Sequence, residues 1–357
     1  MKRLKKVMKK MEEKGIESFY VTNEKNVHYL TKFTGEESVL LILRDEAFFI
    51  TDGRYTEQAK TELPDEIQIV RWTKGLMNEA IERINKSNVR NVYFEGDQMN
   101  YADAVVFIEG VKVEAKPVSG FVEEFRSVKD EEEIANTIEA VKIADKTFFH
   151  ILNFIRPGVS EKEVANEMEY YMKKIGSEGT SFPTIVASGI RSSFPHATAS
   201  DKVIERGDIV TLDFGALYNG YASDITRTIA VGKVDPKLEE IYYLVLEAEI
   251  AGLEAIRAGM SAKELDAIIR CPIKEKDMNQ YFNHGGGHSI GLDIHEAPFI
   301  GNSPDVFRAN NIQTIEPGVY MPGLGGVRIE DDILVQDGPG IVLTSSPKKD
   351  LVTLPFY

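Results

Sequence analysis

Acidic residues with the potential for metal chemistry lie in the second half of the sequence, within segments that otherwise resemble apolar strands. TLDFGALYNGYASDITRT, residues 211–228, places Asp213 and Asp224 on two apparent strands joined by a glycine-containing turn. An antiparallel hairpin of that length can bring both carboxylates to one face. Glu316 and Glu330 follow in TIEPGVY and VRIEDD, which have the same apolar strand pattern.

Burial of these carboxylates requires compensating positive charge. A lone buried carboxylate costs several kcal/mol unless it is paired or bound to a metal. Arg227 and Arg328 can neutralise at most two of the four acids, and divalent cations can neutralise the remainder. Carboxylate-rich ligation with one imidazole suits manganese, cobalt or iron better than a structural zinc. The sequence therefore predicts a co-catalytic pair of metal ions.

Histidines accompany the acids. HGGGHSIGLDIHEAP, residues 284–298, contains His284, His288 and His295, and His196 lies upstream in FPHA. A histidine that is not a ligand can transfer protons or stabilise charge that develops on a substrate. His295 also fits a hydrogen-bonded loop position and His284 a structural one, so both interpretations stay open.

Three further acids adjoin these positions. Glu296 follows His295, and we interpret it as a solvated acid or as one that supports a ligand without binding metal. Asp331 and Asp332 follow Glu330 and are typical of a charged strand end.

The first third of the sequence alternates short apolar runs with helical stretches. Strands are predicted at SFYVT, VLLILRD, EAFFITD, IQIVRW and VRNVYFEG, and helices at YTEQAKTEL and GLMNEAIERINKS. This pattern is typical of a small α/β domain. We therefore divide the chain into a first domain of residues 1–125 and a second of residues 126–357.

The second domain begins with a helix and then becomes rich in strands. Apolar residues at helical spacing between 134 and 148 predict that helix, and Asp130 with Glu133 resembles an N-terminal capping pattern. A helical pair at 236 to about 258 and 261 to about 269 interrupts the later strands. Strands and helices in separate blocks indicate an α+β domain.

The composition argues against several classes of protein. A net charge of −15 disfavours nucleic-acid binding, because phosphate contacts require a basic face. Cys271 is the only cysteine, which excludes an intrachain disulfide framework and a cysteine-based zinc site. No apolar run approaches the roughly 20 residues of a membrane span, and the basic N-terminus lacks the apolar segment of a secretory signal. We expect a cytoplasmic protein that binds neither membrane nor nucleic acid.

Five segments together resemble the motifs of the prolidases (Xaa-Pro dipeptidases), pita-bread metallopeptidases related to aminopeptidase P, methionine aminopeptidase and creatinase. LDFGALYNGYASDITRT, GHSIGLDIHE, TIEPGVY and VRIEDD resemble the metal motifs, and FPTIVASGIRSSFPHA resembles the substrate-binding histidine segment. NVHYLTKFTG and FFITDGRYTEQA resemble the N-terminal domain of the same enzymes. The resemblance covers nearly the whole chain. It implies an α+β protein with a creatinase-like α/β domain followed by a pita-bread catalytic domain.

The resemblance also implies a ligand set of Asp213, Asp224, His288, Glu316 and Glu330 for two divalent ions. Manganese or cobalt is favoured, with iron or zinc as alternatives. Asp224 and Glu330 would bridge the two ions, and Glu316 would in addition transfer a proton from the attacking water to the leaving proline nitrogen.

Four other residues receive roles by the same resemblance. His196, His284 and His295 would line the substrate pocket and steady the tetrahedral intermediate. Arg328, two residues before Glu330, would fix the geometry of the carboxylates.

The activity expected from the resemblance is hydrolysis of the bond before proline in Xaa-Pro dipeptides, by a homodimer. The alternative is an aminopeptidase P that removes the residue ahead of proline from longer peptides, and the short N-terminal domain favours the dipeptidase. Methionine aminopeptidase lacks such a domain. Creatinase-type enzymes work without the metal pair, and non-catalytic relatives typically lose metal ligands, so the full ligand set disfavours both.

The sequence departs from the family pattern at Ser289, Pro272, Asn310 with Asn311, and Phe299. None of these positions is a predicted ligand. Many prolidases carry an arginine where Phe299 stands, and an arginine can bind a free carboxylate bidentately. We expect Arg308, on the same connection between His295 and Glu316, to supply that cation instead.

Overall fold

The apolar runs in the first third of the chain form the strands of one sheet. The computed structural model describes residues 2–356, which divide into two compact units between Arg126 and Ser127. The helices and strands of the first unit are α1 (Lys2–Glu13), β1 (Ser18–Val21), α2 (Glu24–Thr31), β2 (Ser38–Leu43), β3 (Glu46–Thr51), α3 (Thr56–Glu62), β4 (Ile67–Arg71), α4 (Leu76–Lys86), β5 (Asn91–Glu95), α5 (Tyr101–Gly110), β6 (Glu114–Val118) and α6 (Glu123–Arg126).

The sheet of the first unit has the strand order β4-β3-β2-β1-β5-β6. Strands β1, β2 and β3 are antiparallel neighbours, whereas β4, β5 and β6 are added in parallel. Leu41, Ile50, Val92 and Phe107 contribute to its core, so the sheet buries the apolar runs that predict its strands. The five predicted strands are confirmed, as is the α/β character of this unit.

The second unit carries every residue that the sequence nominates for chemistry. Its helices and strands are α7 (Glu131–Ile151), α8 (Glu161–Lys174), β7 (Gly179–Thr180), β8 (Ile185–Ser188), β9 (Ile209–Phe214), β10 (Ala216–Tyr218), β11 (Tyr221–Ala222), β12 (Ile225–Val231), α9 (Pro236–Ala255), α10 (Ala262–Glu275), β13 (Gly287–Ser289), β14 (Glu296–Ile300), β15 (Ile312–Ile315), β16 (Gly318–Met321), β17 (Gly325–Arg328), β18 (Asp331–Leu334), β19 (Ile341–Val342) and β20 (Thr353–Leu354), with short 3-10 helices at Gly189–Ser193 and Asn279–Tyr281.

Two mostly antiparallel sheets support the site. One has the order β20-β12-β9-β8 and the other β14-β13-β15-β18-β19. Helices α7 and α8 share a core with β8, β9 and β12, and α9 and α10 share a second core with strands β15 and β17. Helices and antiparallel sheets in separate layers are the α+β arrangement that the sequence predicts.

Helix ends show where local sequence rules hold and where they fail. Asp130 accepts hydrogen bonds from the first turn of α7 while Glu133 reaches back to its backbone, so the predicted capping box is present. The predicted end of the second helix of the later pair, near residue 269, is wrong, because this helix, α10, continues through Pro272 to Glu275. Packing of the buried Ile269 and Ile273 against the second core holds this last turn in place despite the missing proline N–H. Among residues 2–356, no helix combines the length and apolar character that a membrane crossing demands.

Candidate active site

The two aspartates are placed by the antiparallel pair β9–β12. Asp213 is paired across the strands with Thr226, and Asp224 immediately precedes β12. Gly215, directly after β9, allows the two arms to approach closely, since an added Cβ there would lie 1.9 Å from the carbonyl oxygen of Ser223. The hairpin predicted from the spacing of the aspartates therefore brings both carboxylates to one end of the sheet.

The other predicted ligands come from the second sheet and its connections. His288 lies on β13, Glu316 follows β15, and Glu330 lies between β17 and β18. Glu330 is bound to the aspartate hairpin through Thr226, whose hydroxyl donates to Glu330 Oε2 at 2.6 Å and whose carbonyl accepts from the Glu330 N–H at 3.1 Å. These bonds join the two sheets at the carboxylate cluster.

The five predicted ligands all line one cavity of about 570 Å³. One ligand atom from each of Asp224, His288 and Glu330 lies within 4.8 Å of the other two. His288 Nε2 is 3.6 Å from Asp224 Oδ2 and 3.6 Å from Glu316 Oε1. Asp213 borders the same cavity, and its Oδ2 accepts a hydrogen bond from Arg328.

The electrostatics of this cluster are those of crowded buried acids. Burial, together with the neighbouring carboxylates, raises the pKa of Asp224 and of Glu330 well above the ordinary values. Burial raises the pKa of Glu316 to about 8. Burial lowers the pKa of His288 to about 4, so this imidazole is neutral near pH 7 and can serve as a ligand.

The donors of the cluster fit divalent cations. Asp213 Oδ1 and Asp224 Oδ1 are buried with no hydrogen-bond partner, a state that costs free energy unless a cation faces them. The Nδ1 of His288 is 3.1 Å from the carbonyl of Ser289, so it donates there and leaves the lone pair of Nε2, on the side of the carboxylates, available to a metal ion. Oxygen-rich ligation with one imidazole is the donor set that manganese, cobalt and iron accept.

Arg328 connects the carboxylate cluster, through Tyr320, to His284, which is predicted to contact substrate. Besides Asp213, it donates to Thr226 Oγ1 at 3.0 Å and to the Tyr320 hydroxyl at 2.8 Å. Tyr320 lies 2.9 Å from His284 Nε2, and His284 Nδ1 lies 2.8 Å from the carbonyl of Gly285. Burial lowers the pKa of His284 to about 4, so its neutral ring donates from Nδ1 and accepts from Tyr320 at Nε2. Both ring nitrogens therefore have partners within the chain.

His196 and His295 are exposed at the mouth of the cavity. The ring of His295 packs edge-on against that of His288, with 4.4 Å between ring centroids. Partial burial and nearby His196 lower the pKa of His295. Apart from Thr198, the remaining side chains of the wall are apolar and belong to Phe182, Pro183, Ile185, Ile294, Phe299 and Ile300.

Sequence reasoning missed three contributors to this site. Tyr320 was not singled out, although it follows Glu316 by four residues on the next strand. The prediction that Asp331 and Asp332 form a charged strand end is wrong, because their exposures are only 1% and 0%. Strand β18 is covered on both faces, so consecutive residues are both buried.

The two buried aspartates support the backbone behind the cluster. Asp332 Oδ2 accepts the N–H of Asp224 at 3.0 Å. Asp331 pairs with the fully buried Arg227, which also donates to the carbonyl of Glu330 at 2.6 Å. These bonds fix the main chain at both residues that are predicted to bridge the metals.

The structure also tests the expectations for Arg308 and Glu296. Arg308 is not among the residues that line the cavity, and its guanidinium donates to Ser127 Oγ at 2.8 Å, so the expectation that it reaches substrate is wrong. Phe299 does line the cavity and is 46% exposed. Glu296 is not a solvated acid. It is buried and pairs with Lys129.

The buried carboxylates and one imidazole form a donor set that could hold divalent metal ions. The sequence matches metallopeptidase family M24 over residues 135–337 and the creatinase/prolidase N-terminal domain over residues 3–128. The chain belongs to metallopeptidase family M24, a family that uses divalent metal ions. The creatinase-like and pita-bread domains implied by the sequence motifs are thereby confirmed.

The chain is similar to Xaa-Pro dipeptidases and to an X-Pro aminopeptidase along nearly its whole length. The Xaa-Pro dipeptidase of Pyrococcus furiosus is 40% identical over 97% of this chain and 99% of its own. The structure of an Xaa-Pro dipeptidase from Bacillus anthracis superposes with a TM-score of 0.96 at 46% identity and covers 99% of both chains. An X-Pro aminopeptidase from Thermotoga maritima superposes with a TM-score of 0.88 at 35% identity, over 95% of this chain and 98% of that one.

Proposed function

We propose that this protein hydrolyses the peptide bond that precedes proline in Xaa-Pro dipeptides, with two divalent metal ions held by Asp213, Asp224, His288, Glu316 and Glu330. Manganese or cobalt is the proposed metal. The names of the Pyrococcus and Bacillus relatives support the substrate class. We further propose that the enzyme acts in the cytoplasm as a homodimer, and the single cysteine, Cys271, fits a reducing compartment.

One observation carries the proposal of a metal pair. Asp213 Oδ1 and Asp224 Oδ1 are buried without partners, and the pKa values of Asp224 and Glu330 in the same cluster are raised well above their ordinary values. Arg328, the one arginine or lysine among the described residues that line the cavity, is already bonded to Asp213. The four acids carry up to four negative charges, whereas Arg328 with one divalent ion supplies only three positive charges, so two ions fit the donor set better than one.

The residues around the cluster would divide the work as follows. Asp213, Asp224, His288, Glu316 and Glu330 would hold the two ions, which would supply an attacking water of lowered pKa and polarise the scissile carbonyl. Glu316, at the edge of the cluster beside His288, would take the proton of that water and pass it to the proline nitrogen. His196 and His295, exposed to the cavity, would orient the carbonyl and stabilise the oxyanion. His284 would donate to substrate only after exchanging its bond to Gly285.

A second candidate function is removal of the residue ahead of proline from longer peptides. Two observations favour it. The described lining of the cavity offers no arginine or lysine other than Arg328, and Phe299 gives the pocket an apolar wall. A dipeptide presents a free carboxylate beside the proline, whereas a longer peptide places an amide there. The X-Pro aminopeptidase from Thermotoga shares the fold of this chain.

The test compares substrates that differ only after proline. The protein is first freed of metal with a chelator and then reloaded with manganese or cobalt. The kcat/KM is measured for an Xaa-Pro dipeptide, its C-terminal amide and the matching tripeptide. The dipeptidase proposal predicts the highest kcat/KM for the free dipeptide. A preference of tenfold or more for the tripeptide would establish the second candidate, and no cleavage of any of them would refute both.

A further inference from the structure

Lys129 is a buried ammonium that the proposed chemistry does not use. Its side chain is 1% exposed, and its Nζ lies 2.9 Å from Glu296 Oε2. Ser289 Oγ and the carbonyl oxygen of Ser127 lie 3.5 Å away. Burial of an ion pair is costly unless its geometry is well defined, so the position of the Lys129 side chain is tied to that of Glu296.

Both side-chain partners of Lys129 adjoin histidines of the site. Ser289 follows His288 on β13, and Glu296 follows His295 at the start of β14. Ser289 and Glu296 face each other across these strands, at a point where the pairing shifts register between His288 and Ser289. An irregularity of this kind re-aims the adjacent side chains. The Lys129 ammonium therefore contacts the residues that directly follow the two histidines, beside this irregularity.

The connection between the two histidines closes around the Glu296 carboxylate. The N–H of Asp293 donates to Glu296 Oε1 at 3.2 Å. Gly291 packs so closely that an added Cβ would lie 2.7 Å from both carboxylate oxygens, which leaves no room for a side chain there. Displacement of this carboxylate would therefore move the loop that ends in His295.

Ser289 extends the connection to a third strand. Its hydroxyl donates to the carbonyl of Ile312 on β15 at 2.7 Å and therefore offers only its lone pairs to Lys129. One ammonium thus joins the segment before α7, the end of β13 and the start of β14.

We infer that Lys129 is a positioning residue that holds His295 at a fixed distance from His288 through Glu296 and Ser289. The inference rests on the proposed function, in which His288 binds metal and His295 contacts substrate. The edge-on packing of the two rings, with centroids 4.4 Å apart, is the arrangement that the ion pair maintains. Lys129 lies outside both matched family segments, which cover residues 3–128 and 135–337.

The test removes the ammonium with little change in volume. Lys129→Met is predicted to lower kcat by about 10–100-fold while KM and metal content stay within about twofold, because a misplacement of about 1 Å near the chemistry has effects of this size. Lys129→Arg is predicted to restore part of the loss. The matched control is Lys202→Met, which removes another lysine pair of the same unit, with Asp208. We expect the control to leave kcat unchanged.

A second readout does not depend on turnover. In metal-free protein, the ring NMR signals of His288 and His295 are predicted to shift in Lys129→Met, while those of His28 and His150 stay in place. If the wild type fails to cleave Xaa-Pro peptides yet these ring signals shift, the proposed function is wrong and the positioning role stands. Unchanged signals together with a normal kcat would overturn the inference.

Loss of one partner from a buried pair can prevent folding. In that event Lys129→Met combined with Glu296→Gln carries the test, because this variant leaves no unpaired charge. It is predicted to fold, to keep a reduced kcat and to show shifted His288 and His295 signals. A double variant with wild-type kcat and wild-type ring signals would show that the pair serves stability alone.

Discussion

Phe299→Arg tests how the pocket treats the end of its substrate. Phe299 lines the cavity and is 46% exposed, so a longer polar side chain can extend from this position without being buried. Arg328 is the only arginine or lysine among the described lining residues, and its donors are already bonded to Asp213, Thr226 and Tyr320. A new arginine would give the substrate carboxylate a partner of its own.

The expected size of the effect follows from the exposure of that position. A hydrogen bond to a charged group contributes about 1.5–3 kcal/mol. Because the position is half exposed, we count one such bond rather than a full bidentate pair. At about 1.4 kcal/mol per factor of ten, the gain corresponds to roughly 10–100-fold in kcat/KM for a free Xaa-Pro dipeptide.

The assay measures kcat/KM for an Xaa-Pro dipeptide and for the same dipeptide with an amidated C-terminus. Phe299→Arg should raise the ratio of the two values, with the change confined to the free acid. Phe299→Met, which stays apolar, serves as the control and should leave the ratio near that of the wild type. If Phe299→Arg changes kcat/KM by the same factor for both substrates, position 299 does not face the substrate carboxylate and this reasoning is refuted.

Three further predictions concern the ligands, the histidines and the supporting network. In Asp224→Asn, the metal content measured by elemental analysis and the turnover should fall in parallel. His288→Ala should retain about one ion per chain. Two tightly bound ions in either variant would contradict the assignment of these residues as ligands. His196→Ala and His295→Ala should each lower kcat by about 100-fold with metal content unchanged, and loss of metal would make the residue a ligand. Arg227→Met should lower the free energy of unfolding, measured by urea titration, by about 3 kcal/mol, because it leaves the buried Asp331 partly unpaired. An effect below about 1 kcal/mol would show that the pair of Arg227 with Asp331 is not needed for stability.

The strands can be predicted from the sequence because their signals are local, and so can the segments that carry the predicted ligands, which line one cavity in the structure. Apolar runs bounded by turns specify β1 to β5, and the two aspartates are brought together by one hairpin whose length can be read directly. The charge argument for metal needs only the number of acids and arginines. Helix α10 extends beyond the predicted end near residue 269, since burial of Ile273 outweighs the local cost of Pro272.

The supporting residues could not be predicted because they depend on which faces of a strand are covered. The pattern of VRIEDD does not reveal that β18 is buried on both sides, so Asp331 and Asp332 resemble solvated acids. Lys129 and Glu296 are separated by 167 residues, and only the fold brings them within hydrogen-bonding distance. Arg308 lies on the expected connection, but its side chain binds Ser127 instead of entering the pocket.

The central claim is that a metal pair in this cluster cleaves Xaa-Pro dipeptides. Its most direct test is a titration of chelated protein with manganese, in which turnover of an Xaa-Pro dipeptide and bound metal are measured on the same samples. We predict no turnover in the metal-free protein and full turnover at two bound ions per chain. Full activity in protein that elemental analysis shows to be metal-free would contradict the account.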